Sequence, residues 1–132
     1  MMHTALIVDD SKLARDILRK LLQDAGVNII NEAVNGLDGY KMYQQYKPSL
    51  LICDIEMPKI TGLKLVEKIR ETDSEIQIIV ASSVRNSTTI KKLIYLGSQI
   101  LKKPITETAF TQVFNNLTSA RDMILRSEKW KA

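Results

Sequence analysis

The sequence contains a single cysteine, Cys53, among its 132 residues. One cysteine cannot form an internal disulfide, which excludes the disulfide-framework class of small secreted proteins and favours a reducing compartment. Cys53 lies in the apolar run at 50–53. We therefore interpret it as a small core residue and not as a reactive thiol.

Long apolar segments are also missing from the chain. No apolar run approaches the roughly 20 residues that are needed to cross a bilayer. The N-terminus lacks the basic region, the apolar stretch and the small-residue cleavage site of a secretory signal. We expect a soluble, cytoplasmic protein that does not contact a membrane.

Aromatic residues are scarce, at 5% of the chain, and the sequence has no recognition-helix motif. The formal net charge of +4 is uneven, because residues 1–84 carry 10 basic against 12 acidic side chains and residues 85–132 carry 9 against 3. A basic half suits an acidic partner surface or nucleic acid. Because no aromatic residues are interleaved with the basic ones, we favour a solvated face and do not expect nucleic acid as a partner.

What the sequence does contain is a regular alternation of short apolar runs and helical patterns. The runs predict five strands, at Ala5–Val8, Ile29–Val34, Leu50–Cys53, Ile76–Ala81 and Ile100–Leu101. Three of the runs are continuously apolar, as expected for parallel strands that are covered on both faces.

Apolar residues at helical spacing fill the segments between and after these runs. They predict five helices, at Ala14–Ala25, about Asp38–Tyr46, Leu65–Ile69, Ile90–Ile94 and Phe110–Ile124. Five strand–helix units predict an α/β fold, a doubly wound five-stranded parallel sheet with helices on both faces. We place this single domain at residues 1–126 and a polar C-terminal tail at 127–132.

Polar side chains follow four of the predicted strands. They are Asp9 and Asp10 after the first strand, Asp54 after the third, Ser82 and Ser83 after the fourth, and Lys102 and Lys103 after the fifth. In a doubly wound sheet, ligands bind at the carboxyl ends of the strands, near the point where the strand order reverses. We therefore expect carboxylates, a hydroxyl and a cation to meet at one edge of the sheet.

Three neighbouring carboxylates repel one another, and burial disfavours their charged forms further. A hard divalent cation such as Mg²⁺ relieves this repulsion through carboxylate oxygens, and it also binds phosphate oxygens. A carboxylate can attack phosphorus and form an aspartyl phosphate. Such a transfer depends on positioning and on the neutralisation of charge. The sequence thus predicts phosphoryl transfer to an aspartate beside a metal ion.

The motifs that carry this chemistry occur in a specific order, Leu6–Ser11, Asn35-Gly36, Asp54–Pro58 with Gly62, Ile79–Ser83 and Lys103-Pro104. In this order they resemble the receiver domain of bacterial two-component response regulators, especially the single-domain chemotaxis type, over about residues 4–118. The resemblance implies a phosphoacceptor switch served by a sensor histidine kinase, a histidine phosphotransfer protein or a small phosphodonor. It implies a regulatory domain that promotes only its own phosphorylation and dephosphorylation, and not an enzyme with other substrates.

The resemblance also implies a metal site. Asp54 is similar to the phosphoacceptor, and Asp10 and Asp54 would bind Mg²⁺ directly together with the main-chain carbonyl of Glu56. Asp9 would act largely through water. Mn²⁺ and Ca²⁺ are the expected substitutes for Mg²⁺.

Two further residues gain roles from the resemblance. Ser82 is similar to the hydroxyl that closes onto the phosphoryl group, and Lys103 resembles the lysine that contacts it. The Lys103–Pro104 peptide would be the cis bond of the family. A downstream protein target would bind the surface formed by the fourth helix, the fifth strand and the fifth helix.

The chain departs from the family pattern near the fifth strand. Ile100 stands where the family usually has Tyr or Phe, three residues before the lysine, and the segment 97–103 is one residue shorter than usual. The usual aromatic relay between the phosphorylation site and the output surface is therefore in doubt, while phosphorylation itself is not.

Three alternatives use related chemistry or the same fold. A haloacid dehalogenase-type phosphatase would need Asp-x-Asp after the first strand, but Ser11 follows Asp9 and Asp10. A flavodoxin-like flavin protein would need a phosphate-binding loop there, where two carboxylates would repel the phosphate. A non-phosphorylated interaction module on the same fold would be favoured if Asp10, Asp54 or Lys103 were missing.

Overall fold

The computed structural model describes residues 3–83 and 87–117. The predicted domain boundary at residue 126, the polar tail at 127–132 and the end of the last predicted helix at Ile124 lie outside the described residues. Among the described residues, no helix is long and apolar enough to span a membrane.

All five predicted strands are present, with boundaries shifted by one or two residues. They are β1 (Thr4–Val8), β2 (Asn28–Ala33), β3 (Leu50–Asp54), β4 (Gln77–Ser82) and β5 (Ser98–Lys102). Val34 lies outside β2, and β5 is longer than the predicted Ile100–Leu101. The extension includes polar residues, among them the buried Ser98, that the apolar pattern could not reveal, because they join the strand through pairing with β4.

The helices alternate with the strands along the chain. They are α1 (Lys12–Asp24), α2 (Gly36–Tyr46), α3 (Gly62–Arg70), α4 (Ser87–Tyr95) and α5, whose described part covers residues 107–117. These five strands pair in parallel with their neighbours, in the order β2-β1-β3-β4-β5. This is the predicted doubly wound sheet, and its order reverses between β1 and β3.

The two faces of the sheet carry two separate cores. Alternate strand residues point to opposite faces, so Ile7 and Ile52 pack with α1 and α5 on one side, while Leu6 and Leu51 pack with α2, α3 and α4 on the other. This double coverage explains why β3 is buried at every position. Cys53 belongs to the second core, and burial raises the pKa of its thiol, which confirms the structural interpretation of this cysteine.

Short polar side chains begin the helices at the sheet's carboxyl edge. The side chains of Ser11, Asn35 and Thr61 each accept a hydrogen bond from the backbone N–H three residues later, at 3.2, 2.8 and 3.2 Å. These N-caps satisfy backbone donors that a helix start leaves without partners. At the opposite ends of α1 and α4, Gly26 and Gly97 follow with φ of 81° and 84°, in the left-handed region that stops a helix.

The predicted apolar stripe of α4 is wrong at one position. Leu93 is buried and Ile90 packs against the core, but Ile94 is 57% exposed and the neighbouring Tyr95 is 90% exposed. α4 contacts β5, the edge strand of the sheet, and α3. A helix at the edge faces the core with a narrower row of side chains, so the residue four positions after Ile90 turns toward solvent.

Ser98 allows the effect of a buried hydroxyl on the stability of the domain to be measured. Its side-chain oxygen is buried and has no hydrogen-bond partner among the described residues. A buried hydroxyl without a partner loses its hydration without compensation. We expect Ser98→Ala to raise the free energy of unfolding by about 1 kcal/mol, measured by urea denaturation.

Ser49→Ala is the matched control. The Ser49 hydroxyl accepts from the Thr4 N–H at 2.9 Å and donates to the Thr4 carbonyl at 3.3 Å. Its removal should lower stability by about 1 kcal/mol. A loss of stability in both variants would show that the Ser98 hydroxyl has a favourable partner after all.

Candidate functional site

The carboxyl ends of four strands bring the predicted polar residues to one edge of the sheet. Asp9 and Asp10 directly follow β1, Asp54 is the last residue of β3, and Ser82 is the last residue of β4. Lys103 directly follows β5. Because every strand pair is parallel, these ends meet at the same edge.

The three aspartates form an acidic cluster. One carboxylate oxygen from each of Asp9, Asp10 and Asp54 lies within 4.8 Å of the other two. Their surroundings differ, since Asp9 is only 1% exposed, Asp54 is 9% exposed, and Asp10 lies open to solvent. A ligand can therefore reach the cluster from the side of Asp10, while Asp9 and Asp54 lie below the surface.

Asp9 is held by all four of its polar groups. Its carboxylate accepts from the Ser11 N–H at 2.9 Å and from Lys103 Nζ at 3.1 Å. Its N–H donates to the Ala33 carbonyl of β2 at 3.1 Å, and its carbonyl accepts from Arg15 Nη1 at 2.7 Å. In contrast, the Asp10 carboxylate accepts no hydrogen bond from the described residues and remains open to a ligand.

Lys103 bridges two of the carboxylates. Its Nζ lies 3.1 Å from Asp9 Oδ2 and 3.4 Å from Asp54 Oδ2. Burial by itself would lower the pKa of Lys103, but the hydrogen bond that Lys103 donates to Asp9 and the charge of Asp54 outweigh it and raise the pKa above its usual value. The ammonium group therefore stays charged between the two acids. The Lys103–Pro104 peptide is cis, as predicted.

Burial, neighbouring charges and a hydrogen bond act in opposite directions on the pKa of Asp54. Burial raises its pKa most, the charge of Lys103 lowers it, the charge of Asp9 raises it, and a hydrogen bond from the Glu56 backbone N–H lowers it, with a net increase. The main chain of Glu56 thus contacts the site, while its side chain is exposed. A cluster with only oxygen donors, in which burial opposes ionisation, fits a hard divalent cation such as Mg²⁺.

The remaining predicted residues surround this cluster. Ser82 is 3% exposed, and its carbonyl accepts from the Lys103 N–H at 2.9 Å, which ties the end of β4 to the lysine. Asp54 pairs with Ala81 in the sheet, so Ser82 lies one residue further toward the edge. Lys102 is exposed, as expected for a solvated charge.

The loop after Asp54 is held by close backbone packing. The Gly62 N–H donates to the Ile55 carbonyl at 2.7 Å, and a Cβ at Gly62 would lie 2.2 Å from the carbonyl oxygen of Asp54. A Cβ at Gly36 would lie 2.3 Å from the Ile60 carbonyl. The two glycines of the motif set therefore let α2 and α3 approach the loop that carries the site.

Sequence reasoning missed Arg15, whose guanidinium contacts the main chain of Asp9. Arg15 lies on α1, one turn after the N-cap Ser11, and three residues before the buried Leu18. The only signal available in the sequence was a charged residue on the flank of the apolar stripe of this helix, and charge on an amphipathic helix is too common to be informative alone.

A sequence model described as the response regulator receiver domain matches residues 5–115. The chain belongs to this family. The receiver fold and the likeness to chemotaxis-type regulators, both predicted from the motifs, are confirmed.

Individual relatives agree with this assignment. The chemotaxis protein CheY of Halobacterium salinarum is 31% identical over 121 residues, which cover 91% of this chain and 100% of that protein. Regulator of RpoS of Escherichia coli K12 is 35% identical over 101 residues, which cover 76% of this chain but only 30% of that protein. A chain of the crystal structure of the CheX–CheY–BeF₃–Mg²⁺ complex from Borrelia burgdorferi matches with a TM-score of 0.83 at 25% identity, over 88% of this chain and 89% of that one.

The packing of Gly62 on Asp54 generates a prediction for this receiver domain. A side chain at Gly62 would collide with a backbone oxygen that cannot move without shifting Asp54 itself. We expect Gly62→Ala to lower the free energy of unfolding by about 2 kcal/mol or more, measured by denaturant unfolding.

Gly26→Ala is the control for the loss of a glycine. A Cβ at Gly26 meets no atom within 4 Å, so only the strain of its positive φ is incurred, about 1 kcal/mol. If Gly62→Ala destabilised the domain no more than Gly26→Ala, the close approach to Asp54 would be refuted.

Proposed function

We propose that this receiver domain is a Mg²⁺-dependent phosphorylation switch in which Asp54 accepts the phosphoryl group. The observation that carries the proposal is the convergence of Asp54 with Asp9 and Asp10 within 4.8 Å, with Lys103 Nζ 3.4 Å from Asp54. The phosphodonor would be a sensor histidine kinase, a histidine phosphotransfer protein or a small phosphodonor such as acetyl phosphate. We further propose a cytoplasmic location, where such kinases present their phosphohistidine.

The proposed metal ligands are Asp10, Asp54 and the main-chain carbonyl of Glu56. The contacts of Asp9 support this division, because its two carboxylate oxygens already accept hydrogen bonds from Ser11 and Lys103. Asp9 would then act through a metal-bound water. When bound, Mg²⁺ would neutralise the carboxylates and draw charge from the phosphoryl oxygens. Mn²⁺ or Ca²⁺ would substitute through the same oxygen ligands.

The reaction we propose is an in-line displacement at phosphorus. A carboxylate oxygen of Asp54 attacks the phosphorus atom, the bond to the donor's nitrogen or oxygen breaks, and its electron pair leaves with the donor. Lys103 would stabilise the oxygens of the transferred group, and Ser82 would donate a hydrogen bond to one of them. Attack by water on the resulting acyl phosphate restores Asp54, so the domain promotes only its own phosphorylation and dephosphorylation.

We also propose that the phosphorylated state is read by a protein partner at the surface of α4, β5 and α5. The exposed side chains of Ile94 and Tyr95, together with the exposed Lys91 and Lys92, support this placement. Ile100 packs partly buried against the core beneath α4. An isoleucine has a stiff first torsion, so the signal would leave through the segment after Ser82 and not through a rotating aromatic ring.

The phosphoacceptor assignment is tested by mass spectrometry. After incubation with acetyl phosphate and Mg²⁺, the wild type should gain the mass of one phosphoryl group. Asp54→Asn should not, because an amide oxygen is a poor nucleophile, and chelation of the metal should also prevent labelling. Asp24→Asn, at the exposed end of α1, should label like the wild type. Undiminished labelling of Asp54→Asn would place the phosphoryl group elsewhere.

The output surface is tested by backbone amide shifts with and without a beryllofluoride mimic. A switch requires an element with two arrangements that the modification biases. We expect changes at Ser82, along α4 and at Ile100–Lys103. The segment 84–86, which joins β4 to α4, lies outside the described residues, and its shifts are part of the same measurement. Changes confined to the neighbourhood of Asp54, with α4 silent, would contradict this output route.

A further inference from the structure

We propose that Arg15 is a positioning residue that orients the carboxylate of Asp10 toward the metal site. This inference rests on the proposed function, in which Asp10 binds Mg²⁺. Arg15 itself does not contact the acidic cluster's carboxylates. Its guanidinium acts on the main chain, where Nη1 donates to the carbonyl oxygen of Asp9 at 2.7 Å.

The Asp9 carbonyl belongs to the peptide unit that leads into Asp10. A peptide unit is planar, so holding its oxygen holds the plane and with it the positions of the Asp10 nitrogen and Cα, from which the Asp10 side chain leaves the chain. The other side of Asp9 is fixed as well, because its N–H donates to Ala33 of β2 at 3.1 Å. With both main-chain groups of Asp9 held, the Asp10 carboxylate keeps only the rotation about the Asp10 N–Cα bond and its own side-chain torsions.

A second contact holds the guanidinium in place. Arg15 Nε lies 3.7 Å from Glu32 Oε1 on β2, and the Arg15 side chain is only 15% exposed. Ile7 of β1 pairs with Glu32, so the carboxylate that holds Arg15 lies beside the strand that ends at the site. The guanidinium places Nη1 at the carbonyl and Nε near the carboxylate, whereas a lysine would have a single nitrogen for both positions.

Arg19 provides an internal comparison. It forms a two-pronged ion pair with the same Glu32, at 2.6 and 2.8 Å, and bonds Asp16 at 2.9 Å. Both arginines therefore join α1 to β2, but of the two only Arg15 reaches the Asp9 carbonyl. If Arg15 served only to attach the helix to the sheet, the two residues would be equivalent in their effect on the metal site.

The test is a Mg²⁺ titration followed by amide shifts of Asp10 and Asp54 in wild type, Arg15→Gln, Arg15→Lys and Arg19→Gln. We expect Arg15→Gln and Arg15→Lys to weaken Mg²⁺ binding about tenfold, within the range seen when outer partners of metal ligands are removed. Arg19→Gln should stay within about twofold of the wild type, although it removes the stronger ion pair. Without metal, the amide shift of Asp10 should move in both Arg15 variants and not in Arg19→Gln.

Thermal unfolding of each variant separates positioning from stability. A comparable loss of melting temperature in Arg15→Gln and Arg19→Gln, with weaker Mg²⁺ binding only in the former, supports the proposal. Equal Mg²⁺ affinity in all variants overturns it, and so does a full return of affinity in Arg15→Lys, which would reduce the role of Arg15 to its charge. Should Arg15→Gln fail to fold, the Mg²⁺ affinity of Arg15→Lys is compared with that of Arg19→Gln and the wild type instead. A wild type that shows no saturable response to Mg²⁺ would instead contradict the proposed metal site, and this inference with it.

Discussion

Parallel pairing of the five strands brings the polar residues of the candidate site together, because it places all the carboxyl ends of the sheet at one edge. Neighbouring strands then deliver residues that are far apart in sequence. Asp9 and Lys103 are 94 positions apart and form a 3.1 Å ion pair. The pairing is possible because helices cover both faces and bury the apolar runs that form the strands. The site thus depends on the two cores, although no core side chain takes part in its chemistry.

The three aspartates of the acidic cluster differ in their surroundings and therefore in their access to a ligand. Three carboxylates face one ammonium group, which leaves an excess of negative charge in a partly buried place. Each carboxylate oxygen of Asp9 accepts a hydrogen bond from within the protein, whereas the Asp10 carboxylate is exposed and accepts none from the described residues. Asp54 lies between these extremes, buried enough for its pKa to rise and open enough to be reached. The three aspartates therefore differ in how easily a ligand can reach them, because their burial and their hydrogen bonds differ.

The family pattern fits the residues at the carboxyl ends of β1, β3, β4 and β5 more closely than it fits the middle of β5. The family pattern holds at each strand end, but Ile100 and the shortened segment before Lys103 depart from it. The structure places Ile100 against the core and turns Ile94 to solvent, so α4 presents an apolar and basic surface. A stiff side chain at position 100 limits motion by rotation.

The sequence by itself determined the strands, the sheet class and the position of the acidic residues at one edge, because short continuous apolar runs such as 50–53 alternate with helical patterns, as expected for covered parallel strands, and because Asp54 follows one run directly. These are properties of spacing along the chain. Only the tertiary structure decided that Ile94 is exposed, that Gly62 touches the backbone of Asp54, and that Arg15 contacts the main chain of Asp9. Such contacts depend on how far a helix is rotated and how closely it approaches the sheet. The packing between elements sets this rotation and this distance, so the spacing of apolar residues within one element cannot predict them.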